Sequence, residues 1–587
     1  MNPTQALRAA ELPARWHGRD RCVVLTVGAA AAPIAQAIVD AWRSDPSRCT
    51  RLHIVIAAPS AAVRVDDWLP VGSDWQLRRL DGERVQVLHV PGASPEALPG
   101  ALRALVAQAD VLFVADGGSM HAARALARSC ARVASADAVL VTPLHAGDAS
   151  VAFEAEGFMP VGGGHASGAS PAVYRRDARV PVRIPPAWRA EGAPDRHAIV
   201  VGGGLAGCAT AWALAMQGWR CTLLEAAPTL GGTAAAQPAS VFHPIVHAAD
   251  TRHARFARAG AREARDAVAL ACARHGVRGA AGGLLQLIDD ADVDPARARL
   301  EALGIGSARM HILDAAAASV LAGTPLARAA CWQADGGWVD AGGLARSFLE
   351  RAGAAVEVRA GVAVDALERL RDGWSLRDRT NRSIGEAHAV VLANAGDAFR
   401  LIGGHWPVAM TRGQSSLVAH AAHGADPVPA LPLAGGGYVA PTGAGGFVFG
   451  ATSQPDDASV AVRRADHLEN VARLAAIAPA LARDLDVDAL QGRAGTRCVA
   501  RDRLPLVGRV PDAGDGARRD VLRLVPRRPG LWMHAALGAR GVAWCALGAQ
   551  ALAALMSGTP VPLSADLLEA IDPARFGVRD RRRPVRR

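Results

Sequence analysis

The chain contains no lysine, so all 65 of its Lys+Arg residues are arginine. Alanine and glycine are abundant throughout, and in so biased a composition the number of arginines alone points to no function. The nine cysteines are odd in number and scattered, with no C-x-x-C pair. A disulfide framework and a thiolate zinc site are therefore excluded, and no metal centre is expected. A reduced, cytoplasmic setting follows. The N-terminus does not read as a secretory signal, because Glu11 and several arginines precede any apolar run. One uncharged span, Ala198 to Met216, is long enough to cross a bilayer. Gly202, Gly203, Gly204 and Gly207 cluster near its start, which reads instead as a buried strand, a tight turn and a buried helix. No membrane partner is expected.

What is present is a large apolar complement. Half of the 587 residues are hydrophobic and a fifth are charged, which excludes global disorder and suits two to four domains. The net charge of +10 permits an anionic partner such as nucleic acid. Apolar strands are expected at Cys22 to Val27, Leu52 to Ala57, Ala109 to Gly118 and Asp137 to Leu144, with helical stretches between them. That alternation predicts a parallel α/β sheet over residues 1–175. Residues 176–196 are rich in proline and arginine without periodicity and read as a linker. A second α/β unit opens at His197 and runs to 578, and 579–587 is a tail with six arginines, either solvated or a phosphate-contacting arm.

The most informative motif lies at the start of that second unit. The strand HAIVV leads into GGGLAG, Gly202 to Gly207, and a helix to about Gln217; a further strand, CTLLE, ends in Glu225. Gly202 allows the tight turn, Gly204 lets backbone approach a pyrophosphate, and Gly207 lets helix and strand pack closely. The helix start offers free N–H groups to phosphates, and Glu225 is spaced to hold ribose hydroxyls. This spacing predicts dinucleotide binding without choosing between FAD and NAD. The following stretch, with its glycine pair Gly231 and Gly232, reads as a loop over a long cofactor and favours FAD. Near the end, a strand, a Gly538-Ala539-Arg540-Gly541 turn and an apolar helix would put backbone N–H groups near the electron-rich edge of a reduced flavin.

At this point a family resemblance emerges. Residues 197–578, through the fingerprint, GGWVDAGGL, VVLANAG, RGQSS and the hairpin Gly436 to Ser453, resemble the D-amino-acid-oxidase-like FAD proteins. The resemblance implies an FAD-binding fold with an antiparallel-sheet substrate domain. The run Gly495 to Asp512, then LWMHAALGARG, then Ser557 to Phe576, resembles one branch: the bifunctional 5-methylaminomethyl-2-thiouridine biosynthesis family, which modifies the tRNA wobble uridine. That branch implies oxidative removal of the carboxymethyl group from 5-carboxymethylaminomethyl-uridine, hydride passing to flavin and the imine hydrolysing to an aminomethyl group. Its partner is tRNA; no DNA partner is expected, and the oligomeric state is not set by the sequence. The substrate carboxylate needs a cation, for which Arg540, Arg497 and Arg501 are the candidates, with His243 a weaker candidate beside the ring. A flavin oxidase of a free amino acid such as glycine or sarcosine is the alternative.

In the same family the first half is an S-adenosylmethionine-dependent methyltransferase, a Rossmann-like α/β domain. The framework is here in order, but the working residues are not. The loop after the first strand reads VGAAAAP with one glycine, Gly28. The second strand ends in Ala57-Ala58 rather than an acid, and Asp116-Gly117 continues into Gly118-Ser119-Met120. A methyltransferase-like fold that does not methylate, and a tRNA-docking role for it, are the expectations.

Overall fold

The computed structural model describes residues 1–582 apart from 71, 73, 93–96, 116–119, 144–147, 162–170, 183, 193–194, 232–236, 420–427 and 513–519. The segment Asp116 to Ser119 and Gly232 thus lie outside the described residues. The chain divides into two compact units, Met1–Ala190 with Ala554–Leu568, and Glu191–Ala553 with Glu569–Arg587.

In the first unit, the strands Arg21–Val27, Arg51–Ala58, Val85–Pro91, Ala109–Val114 and Ala134–Thr142 form the parallel centre of an eight-stranded sheet. Their residues are almost continuously apolar because both faces are covered, one core lying on each side. The antiparallel strands Ala172–Arg176 and Phe158–Pro160 close one edge, and Gln76–Leu80 closes the other. Numbering the strands by chain order without that last one gives 3-2-1-4-5-7-6, a doubly wound sheet with an antiparallel seventh strand, as the methyltransferase resemblance implies. Residues 554–568 group with this unit: Val561 N–H donates to Val106 O at 3.0 Å. The stretch read as a linker carries a short 3-10 turn, Pro186–Trp188, whose Trp188 is buried.

Of the four sheets that the described residues form in the second unit, two have more than three strands. One has six strands in the order Val356–Ala360, Arg220–Glu225, His197–Val201, Ala389–Leu392, Arg527–Ala535, Leu506–Pro511; all neighbours are parallel except the last pair. The helix Leu205–Met216, apolar on every side, is almost wholly buried, so the uncharged span Ala198 to Met216 is strand, turn and core helix. The other sheet is large and antiparallel save for one parallel pair, Leu284–Leu287 with Leu433–Ala434. It includes the hairpin Tyr438–Pro441 and Phe447–Gly450, and the long pairing of Val408–Val418 with Gln491–Ala500. Among the described residues one helix, Gly538–Ser557, is long and apolar enough to cross a membrane, and it is mostly buried. The expected tail does not begin at 579: helix Arg575–Arg582 carries that residue, and its guanidinium bonds Asp502 at 2.6 Å.

Candidate active site

The fingerprint loop is held by its missing side chains. Gly202 sits at φ 107°, and a Cβ there would lie 2.8 Å from Ala393 O and Asn394 Cα. A Cβ on Gly207 would fall 1.7 Å from Gly202 O, so only glycine lets the helix start against the turn. Gly204 is different: its backbone is extended, at φ −81° and ψ −172°, and nothing lies within 4 Å of where its Cβ would be. The loop therefore leaves open space beside Gly204, at the N-terminus of a helix whose first N–H groups point there.

Glu225 braces this loop. Its Oε2 accepts from Gly203 N–H at 2.6 Å and its Oε1 from Ala227 N–H at 2.8 Å. Each oxygen keeps a lone pair for a ribose hydroxyl. Gly231 N–H donates to Gly203 O at 3.1 Å, which brings the next loop back onto the fingerprint. Asn394 Oδ1, buried next to Gly202, has no partner among the described residues, while its amide donates to Asp397. The second glycine turn meets the first. Gly538 is at φ 57°, and a Cβ on Gly541 would lie 3.4 Å from Leu205 Cδ1. Two helix starts, Leu205 and Gly541, thus adjoin, as a long dinucleotide with a phosphate part and an electron-rich ring part requires. The open space at Gly204, the orphaned Asn394 oxygen and the paired helix starts all fit FAD.

The arginines separate into two groups. Arg540 follows Gly538 in the turn, half-buried, and no described residue gives it a hydrogen bond or ion pair; burial pushes its pKa down to about 10. Arg497 is likewise half-buried and without such a partner, its pKa lowered by burial, with Tyr438 opposing. It lies on the strand Gln491–Ala500, whose Val499 bridges Leu537 beside Gly538. Gly413 makes its room: a Cβ there would come within 1.9 Å of Arg497 Nη2. Arg501 does not join them. It is exposed, 5.4 Å over the Phe576 ring, because the strand has ended at Ala500 and the chain has turned.

Other neighbours went unassigned in the sequence. Burial pushes the phenol pKa of Tyr438 up, with the Arg497 charge and Ser415 opposing, and Ser415 Oγ donates to Gln237 Oε1 at 2.5 Å. The only signal was their presence in RGQSS and the following hairpin. His243 is half-buried, with Nδ1 bonded to Pro244 O at 2.8 Å; burial and then the Arg540 charge push its pKa down to about 4. It is a neutral neighbour of Arg540. His253, stacked on His247 and edge-on to Trp544, also lies in the field of Arg540 and has a buried, unpartnered Nδ1. Among the described residues no cluster could hold a metal ion.

A glycine-braced dinucleotide loop facing a flavin-type turn, beside a large antiparallel sheet, defines a class, and residues 197–555 match the FAD dependent oxidoreductase family, to which the chain belongs. The fold also resembles L-proline dehydrogenase from P. horikoshii, at 17% identity and a TM-score of 0.52, over 66% of this chain and 98% of that one. Over nearly its full length the chain is more specifically related. It is 37% identical to the tRNA 5-methylaminomethyl-2-thiouridine biosynthesis bifunctional protein MnmC of Methylibium petroleiphilum, covering 97% of this chain and 92% of that protein. The Burkholderia thailandensis protein of the same name is 35% identical, over 98% and 93%. The chain belongs to this bifunctional family.

Proposed function

We propose that the protein modifies the tRNA wobble uridine, its second unit oxidatively removing the carboxymethyl group from 5-carboxymethylaminomethyl-(2-thio)uridine to leave the aminomethyl base. The observation that carries this is the 37% identity to a tRNA-modifying relative over 97% of the chain. When bound, FAD supplies a two-electron acceptor for the C–H bond next to the amine. The loop at Gly202 to Gly207 with Glu225, Asn394, Gly538 and Gly541 holds it. Arg540 and Arg497 bind the substrate carboxylate. Two half-buried guanidinia without partners among the described residues are costly to keep charged, and a carboxylate that accepts their forked N–H groups offsets that cost. His243, in the field of Arg540, carries no proton near pH 7 and so adds no charge beside it.

The first unit keeps the methyltransferase-like sheet, and two positions among its described residues argue against S-adenosylmethionine binding. The position closing its second strand is Ala58, buried, and its carbonyl already accepts from Gly92 N–H and His89 Nε2. No carboxylate stands there to take ribose hydroxyls. Ala30 caps, and Ala31 and Ala32 open, the helix Ala31–Ser44 after the first strand, where glycines would let a cofactor approach. We read this unit as structural or tRNA-docking. The nine free cysteines suit a reduced cytoplasm.

The test is anaerobic flavin reduction in the purified holoenzyme. Undermodified tRNA should bleach the flavin, and free glycine or sarcosine at the same concentration should not. Bleaching by the free amino acid alone would overturn the assignment.

A further inference from the structure

Arg503 holds its backbone in the left-handed region, at φ 60°. Arginine rarely adopts that conformation, which asparagine or glycine would accept at less cost. Its guanidinium is exposed and forms no hydrogen bond or ion pair to a described residue. An outlier kept at an exposed, charged position invites a functional reading.

Its neighbours strengthen that reading. Arg501 lies over the Phe576 ring at 5.4 Å, and Arg575 and Arg579 approach the same ring at 4.4 Å and 5.7 Å. Three arginines meet at this ring, and Arg503 follows Asp502 directly in the chain. Asp502 answers two of them, accepting from Arg575 at 2.8 Å and 2.9 Å and from Arg579 at 2.6 Å. Arg575 is buried beneath, so Arg501, Arg503 and Arg579 form the exposed side. Asp502 is already shared between two arginines, and the Arg503 guanidinium has no partner among the described residues, which leaves that side positive.

The cluster also adjoins the site. Arg501 to Arg503 directly follow the strand that carries Arg497 and bridges Leu537. Burial depresses the protonation of His253, and the charges of Arg540, His247 and Arg503 add to it, so both arginines reach this ring.

We propose that Arg501, Arg503 and Arg579 form a docking ridge for the sugar–phosphate backbone of the RNA whose modified nucleotide enters beside Arg540; this rests on the tRNA reading above. The occupant follows from charge complementarity, because planar guanidinia pair with phosphate oxygens and the substrate base belongs to a polyanion. Phe576 is buried beneath the arginines and offers no stacking face, so the ridge contacts phosphates and positions the strand without reading its bases.

The experiment uses the FAD-loaded full chain and a tRNA transcript, with Kd measured by filter binding from about 0.05 to 0.2 M salt. Arg503→Asn removes the charge and suits the left-handed backbone, so flavin content and thermal midpoint stay at wild-type values. Binding should weaken about two- to fivefold, the range of an exposed ion pair. The slope of log affinity against log salt should become shallower by about 0.7–0.9. Arg503→Lys should restore both, and Arg579→Gln should repeat the loss. Wild-type affinity and slope in Arg503→Asn and Arg579→Gln would overturn the ridge alone. Failure of the wild type to bind the transcript would overturn the tRNA reading and the ridge with it.

Discussion

Gly204 and Gly207 lie three residues apart in one loop, yet replacing them with alanine should have opposite effects. In Gly207→Ala the new methyl falls 1.7 Å from Gly202 O. That oxygen is backbone, and Gly202 is itself fixed by its N–H bond to Leu224 O at 2.7 Å. No rotamer change can relieve the clash. Overpacking typically costs about 1–3 kcal/mol. A contact this short against backbone belongs at or above the upper end, a large share of the roughly 5–15 kcal/mol that holds a domain folded. In Gly204→Ala the methyl meets nothing within 4 Å, and φ −81° suits alanine. Losing glycine at that helix-capping position costs less than about 1 kcal/mol. The apoprotein should then melt near the wild type. The difference appears on adding FAD. At about 100 times Kd a ligand stabilises the folded state by about 2.7 kcal/mol. Wild type should gain that increment, whereas Gly204→Ala should gain none at the same concentration, its methyl occupying the space left for the pyrophosphate. Urea unfolding of deflavinated protein with and without FAD, alongside flavin fluorescence, measures both. Wild-type FAD affinity in Gly204→Ala would refute the cradle, and a wild-type apoprotein midpoint in Gly207→Ala would refute the packing argument.

Arg540→Ala should slow flavin reduction by tRNA at least about tenfold, since a charge-assisted hydrogen bond is worth about 1.5–3 kcal/mol, while flavin content is retained; stopped-flow absorbance reads both, and an unchanged rate would exclude the carboxylate role. Arg501→Ala, on the Phe576 ring, should leave that rate near wild type at saturating tRNA. Stability of the second unit should fall as pH drops from about 6.5 towards about 4. Burial holds His243 and His534 near pKa 4, so between those values the unfolded chain binds protons that the folded chain does not. Each contributes roughly 1.4 kcal/mol per pH unit at most, and a flat urea midpoint between pH 7 and 4.5 would refute this. Calorimetry of the full chain with S-adenosylmethionine should show no binding at micromolar concentrations, and a micromolar Kd would sink the reading of the first unit.

The legible parts of this sequence are those where one residue type has one physical reason. CVVLTV and LHIVIA read as strands because both faces are buried and nothing polar interrupts them. GGGLAG was legible because close backbone approach leaves no other choice at Gly202 and Gly207. The edge strand Gln76–Leu80 was not, since only one of its five residues is buried and its sequence, QLRRL, carries no apolar alternation. Arg497 and Arg501 looked equivalent, four residues apart in one arginine-rich run; the strand ending at Ala500 separates them, and that ending depends on a turn held at Arg503 rather than on either arginine. The role of Gly413 was hidden because it is an absence, the space into which a guanidinium from a neighbouring strand folds.

The same distinction accounts for the two halves. In the first unit the strands keep their buried valines, isoleucines and leucines, and those contacts suffice to keep the sheet order, whatever stands in the loops at its carboxyl edge. Binding chemistry resides in those loops, in a few side chains that contribute little to stability. Ala57-Ala58 packs as well as an acid would there, and its carbonyls are satisfied by Gly28, Gly92 and His89, so nothing in the fold resists the replacement. In the second unit the glycines serve fold and cofactor together: Gly207 cannot change without breaking the helix start, and that helix start is what faces the open space at Gly204. Drift at such loop positions can therefore leave the architecture of the first unit standing, whereas at Gly202 and Gly207 of the second unit cofactor loop and architecture are lost or kept as one, and only Gly204 is free to change alone.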